Sequence, residues 1–219
     1  MATGFTASAR RLGIASAVGT VVLGVVYAVT LMAGFASLKG PQQPIGDPWF
    51  STLEILIIVA APLMVALMVA VHAWASPEAK PFSLLALVFM SLAAGLTCGV
   101  HFVILTMSRQ AALDGLPWLP LFLSFKWPSV AYALDIFAWD VFFAVSVLFA
   151  ASVFSGGRLA TSIRVLLAAS GVLALAGLSG VVVGDMQVRN IGIVGYAGVF
   201  PVAALLLAVL FSRARPREA

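Results

Sequence analysis

Three carboxyl groups interrupt helical runs that are otherwise lipid-soluble, namely Glu54, Asp135 and Asp140, and a fourth, Asp185, follows another such run directly. An ionisable side chain at bilayer depth costs about 3 kcal/mol or more, so it pairs, faces a cavity, or works. Charged residues make up only 9% of the chain against 63% hydrophobic, which makes each intramembrane acid informative. A carboxyl group in apolar surroundings without a cation holds its proton, and a held proton makes it a general acid.

Depth along the helices groups these acids with a histidine. At a rise of about 1.5 Å per residue, Glu54 lies about 5 Å from the outer end of its helix, and His101 and Asp135 about 9 Å from theirs. The three are therefore expected in one layer, with Asp140 at about 16 Å forming a floor near mid-bilayer. Tyr132, Asp135 and Trp139 follow i, i+3, i+7 and share a helix face. Asp135 and Asp140 are five residues apart, about 140° at 100° per residue, so one of them is expected to turn to a neighbouring helix. Arg109, Lys126 and Arg189 end or follow helices at this level. Asp135–Arg109 and Asp185–Arg189 are the plain structural pairings.

The other polar features are more ambiguous. His72 and His101 fall on opposite sides of the membrane and cannot share one haem. A zinc site of histidine plus carboxylates is poorly supplied, and the reading takes no metal and no cofactor. Asp185 to Asn190 gathers Asp185, Gln187, Arg189 and Asn190 between two apolar runs. That cluster either anchors a polar head group or caps two helices. Cys98 stands alone, which excludes an intramolecular disulfide and a multi-cysteine metal cluster.

These side chains need a scaffold, and composition supplies its class. A mean hydropathy of +1.13 excludes an ordinary soluble domain, and long continuous apolar runs exclude a barrel. The 219 residues predict a single all-α transmembrane bundle with spans near 12–36, 51–75, 82–107, 129–154, 165–184 and 192–212. The first run is too long for a cleaved signal and reads as a retained anchor. Glycines in the last two spans, among them Gly171, Gly177, Gly180, Gly192 and Gly195, predict close helix packing. The 108–128 connection is aromatic and carries prolines, so residues 112–128 suit an interfacial or re-entrant lid, or a belt with Trp118 and Trp127 at head-group level.

Orientation follows from the basic residues. Arg10, Arg11, Lys80, Arg158, Arg164, Arg213, Arg215 and Arg217 fall on one side, and Lys39, Arg109, Lys126 and Arg189 on the other. The positive-inside rule then predicts N-in and C-in. Basic ends meeting anionic lipid explain a pI near 9.7 without a nucleic-acid partner. The acids are biased the other way, with only Glu78 and Glu218 inside. The expected setting is a bacterial cytoplasmic membrane.

Three function classes fit this equipment. The first is an enzyme on a lipophilic substrate, with an outward-facing pocket lined by Trp49, Phe102, Phe125, Trp127, Tyr132 and Trp139. Aromatic faces there would stabilise a developing carbocation, as acid-initiated isoprenoid cyclisation or isomerisation requires. In size, helical character and acid placement the chain resembles the small integral-membrane terpene cyclases of meroterpenoid and indole-sesquiterpenoid pathways. The resemblance implies an early-span acid, matched by Glu54 within Trp49-Phe50-Ser51-Thr52-Leu53-Glu54, and a late acid nearest to Asp185. That class is usually described with seven spans, against six read here. On this reading Glu54, Asp135, Asp185 and His101 are catalytic, and Trp49, Phe102, Arg109, Trp127, Tyr132, Trp139, Asp140, Gln187, Arg189 and Asn190 bind substrate. The second class is a proton-coupled transporter or channel, which needs acids continuing to the inner side. The third is a sensor or assembly subunit with structural ion pairs and no cavity.

Overall fold

The computed structural model describes residues 5–40, 43–113 and 115–214. Asp114, Arg215, Arg217 and Glu218 lie outside them. Seven helices and no strand occur among the described residues, and six helices are long and apolar enough to cross a membrane. They are α1 (Ala7–Ala36), α2 (Trp49–Trp74), α3 (Lys80–Met107, entered through a 3-10 turn at Pro77–Ala79), the short α4 (Leu119–Phe122), α5 (Val130–Ala151), α6 (Arg158–Val183) and α7 (Met186–Arg213). The chain is thus the helical membrane bundle its composition predicts, and an even number of spans puts both ends on one side.

Each spanning helix packs on the next, and α7 returns to α1, closing a ring. Its interior is filled by Met64, Leu67, Met68, Phe143, Phe200, Leu207 and Phe211. Arg10 on α1 seals the closure: its Nε donates to the Phe211 carbonyl at 3.0 Å and its Nη2 to the Ser212 carbonyl at 2.7 Å. Those carbonyls belong to the last turn of α7, where intrahelical partners run out.

Boundaries moved where charges were taken as ends. The first helix begins at Ala7, capped by Thr6, whose hydroxyl accepts from the Ala9 amide at 3.2 Å. The fifth span begins at Arg158 rather than 165, because long arginine stems lie along a helix while their heads reach water. The largest correction concerns 185–190. That stretch is the first two turns of α7, not a connector. Gly184, at φ 72°, ends α6 in the left-handed region. Asp185 then caps α7, its carboxylate accepting from the Gln187 amide at 2.8 Å.

Two spanning helices contain π-turns, Phe137–Phe143 in α5 and Val194–Val199 in α7. A π-turn frees backbone groups, and the Ser170 hydroxyl of α6 donates to the Gly195 carbonyl at 2.9 Å. Pro62 inside α2 has no amide to offer Ile58 four residues earlier. The Cys98 thiol faces that carbonyl instead, at 3.6 Å. The predicted glycine packing is present. A Cβ on Gly177 would meet the Gly192 backbone at 2.9 Å, and one on Gly195 the Ser170 carbonyl at 2.6 Å.

Candidate functional site

Glu54 on α2, His101 on α3 and Asp135 on α5 meet in the outer half of the bundle. His101 Nδ1 lies 2.7 Å from Glu54 Oε2, and its Nε2 lies 3.5 Å from Asp135 Oδ1. Glu54 and His101 are buried. The layer predicted from rise per residue is therefore a contact, with the histidine clasped between two acids. A neutral imidazole has one donor and one acceptor nitrogen. Facing two carboxylates, it leaves one of them against a bare lone pair. A proton added to the ring or to one of the acids would relieve that contact.

A second buried pair lies below the first. Arg189 Nε donates to Asp140 Oδ2 at 3.2 Å, with 3% and 0% of the side chains exposed. The expectation that one of the two α5 acids turns to a neighbouring helix is met by Asp140, which reaches α7. The partners of the two arginines differ from the plain pairings. Arg189 bonds Asp140 rather than Asp185, and Arg109 pairs with Asp47 while lying 3.7 Å over the Phe50 ring. Arg189 sits 5.4 Å from the Tyr132 ring centroid and 5.8 Å from that of Tyr196. Asp135 Oδ1, Asp140 Oδ1 and Arg189 Nη2 are buried without a hydrogen-bond partner.

The π-turn explains how two acids five residues apart serve one region. In a straight α-helix they diverge by about 140°. A π-turn closes i→i+5 instead of i→i+4, which brings position 140 back toward position 135. Tyr132, one turn before Asp135 on α5, links the pairs, since the Arg189 guanidinium lies 5.4 Å from its ring centroid. The two pairs thus form one polar stretch across α2, α3, α5 and α7. Gly192 makes room for it, since a Cβ there would meet Asp140 Oδ1 at 2.8 Å.

The remaining predicted residues are spread more widely. Trp139 stacks on Tyr196 at 5.0 Å and Phe143 at 5.6 Å, beside the Asp140 floor. Phe125 of the 112–128 connection lies 4.9 Å from the His101 ring and 6.5 Å from Tyr132, which sets this one side chain of the connection against the triad. Trp127 is half-buried in the same connection, and half-buried Trp49 packs at Gly34 of α1. Phe102 points away, 59% exposed on the lipid face of α3. Asp185, Gln187 and Asn190 form an exposed cap, with Asn190 donating to Gln187 at 3.2 Å. The structure does not bring them to the triad. Among the described residues, no group of three or more His, Cys, Asp or Glu is arranged to hold a metal ion.

Toward the inner side, Met64, Leu67, Met68 and Val71 are packed below the polar stretch. His72 stands apart from it, its Nδ1 2.8 Å from the Ser83 hydroxyl. No family model, curated protein or solved structure matches this chain.

Proposed function

We propose that the protein is a membrane-embedded enzyme that transfers a proton to a lipophilic substrate from the outer half of the bilayer. The observation that carries this reading is the buried histidine held between the buried Glu54 carboxyl and the half-buried Asp135 carboxyl. Three intramembrane acids, Glu54, Asp135 and Asp140, face two bases, His101 and Arg189. Even with both bases charged, one negative charge is left over, and a proton or a cationic reacting centre offsets it. Glu54 or His101 is the donor on this view, Asp135 stabilises the positive charge that develops, and Phe125, Tyr132 and Trp139 offer π faces to it. Isomerisation or cyclisation of an isoprenoid alkene or epoxide is the reaction type that needs this equipment and no more. The setting is a cytoplasmic membrane with the site facing outward.

The test uses the full-length protein in nanodiscs in deuterated buffer, offered linear polyprenyl alkenes and epoxides. Mass spectrometry is expected to find a product carrying solvent deuterium, formed by the wild type and not by Glu54→Gln. Absence of such a product across the panel, with proton flux in proteoliposomes, would overturn the enzyme in favour of a transporter.

A further inference from the structure

A cavity of about 330 Å³ opens sideways between α3, α5 and the outer connection, beside the triad rather than over it. Its floor is Gly95 and Gly99, one turn apart on α3, where an added Cβ would meet nothing within 4 Å. Val103 continues the floor, Val130 and Leu134 of α5 form the far wall, and Phe122 and Leu123 roof it. No charged or polar side chain lines it. Val103, Phe122, Val130 and Leu134 are exposed along its open side. That side belongs to membrane-spanning helices, so what reaches it is hydrocarbon.

The groove and the triad share a wall. Val100 lines the groove and precedes His101, and Leu134 lines it and precedes Asp135. Ala131, also in the lining, is four residues from Asp135 and on its helix face. The volume is at the low end of the range for small-molecule sites, about 300–1,000 Å³. A space of that size with an open side holds one hydrocarbon chain.

We propose that this groove seats a single linear hydrocarbon chain taken sideways from the outer leaflet, with one end delivered to the His101–Asp135 side of the triad. The inference deepens the proposed function and rests on it for the role of that end. A chain entering here arrives uncyclised, so the substrate class is an unbranched or polyprenyl chain with its reactive group near a terminus.

The experiment is photolabelling of the full-length protein in phosphatidylcholine nanodiscs with a long-chain alcohol carrying a diazirine. Adducts are expected to concentrate on Val103 and Leu134 over Val22, Val25 and Val29 of α1, although those three are the more exposed. Gly95→Leu and Gly99→Leu start their side chains in open space and are expected to leave thermal stability no lower than wild type. They are expected to cut those adducts about tenfold, the loss when two methylenes are displaced. Gly24→Leu, which also meets nothing within 4 Å, is expected to change nothing. Adducts spread evenly over α1 and the groove, or undiminished in Gly99→Leu, would overturn the groove as a chain site. Labelling does not need proton transfer, so Glu54→Gln should label normally. Normal labelling with no acid-dependent product therefore rejects the enzyme reading alone, and the reverse result rejects the groove alone.

Discussion

Glu54 and Asp140 are both buried acids, yet removing charge from each should have different consequences. Glu54→Gln keeps the shape and a hydrogen-bonding group for His101. It is expected to leave thermal stability in detergent near wild type while lowering turnover about 100-fold or more, the loss typical of a general acid. Stability and turnover measured on one preparation decide the matter, and normal turnover would remove Glu54 from the chemistry. Arg189→Met strands Asp140 in a dry interior, at a cost of about 3–5 kcal/mol. Adding Asp140→Leu should restore most of that stability, which a double-mutant cycle by thermal denaturation would register as strong coupling. Additive losses would show that the two side chains do not support each other.

The elements explain what was legible in the sequence and what was not. Rise per residue placed Glu54, His101 and Asp135 in one layer because depth depends only on counting from a helix end. Facing depends on helix period: the 100° step foresaw that one acid turns to a neighbouring helix, as Asp140 does, but not the π-turn across Phe137–Phe143. The pairing of Arg189 with Asp140 was hidden for another reason: Gly184 and Asp185 resemble a loop, and only the left-handed Gly184 and the Asp185 cap reveal a new helix starting at once. Glycine spacing was a truer guide. Gly177→Ala pushes against the Gly192 backbone and is expected to destabilise the fold by about 1–3 kcal/mol. Gly24→Ala, in open space, should raise stability slightly or leave it unchanged, and thermal melts of the pair give a direct comparison. At the start of α2, hydrogen bonds from Ser51, joined by the Arg109 guanidinium, hold the Asp47 carboxyl below its usual range. Its folded-state value is the lower one, so its support is present above the ordinary carboxylate range and lost as pH falls through the depressed value. Asp47→Asn should therefore lower stability slightly at neutral pH and leave the acid end unchanged, flattening the profile between them, which thermal melts across pH would register.

At the scale of the molecule, six spans put both ends on one side, and the eight-to-four split of basic residues predicts that side to be the inner one. Cysteine labelling in a Cys98→Ala background tests this. Arg158→Cys is expected to react only with reagent admitted to the inner side, and labelling from outside would invert the whole assignment, the outward site included. Composition sufficed for the bundle because lipid leaves helices few alternatives. It did not foretell a ring, because which helix pairs with which is set by side chains such as Arg10 that look like ordinary orientation charges.

The closure of that ring also fixes an order of events during synthesis. The chain emerges from its amino end, so α1 enters the membrane with the face meant for α7 uncovered, and it waits for the last helix to be made. Glu54, His101 and Asp135 can assemble as soon as α5 is inserted. Asp140 is inserted with them, yet its counter-ion Arg189 is translated 49 residues later. Over that interval a newborn molecule must keep Asp140 protonated or sheltered by the insertion machinery. Slow translation between α5 and α7 is thus a window of vulnerability, and quality control of this protein is expected to act there first.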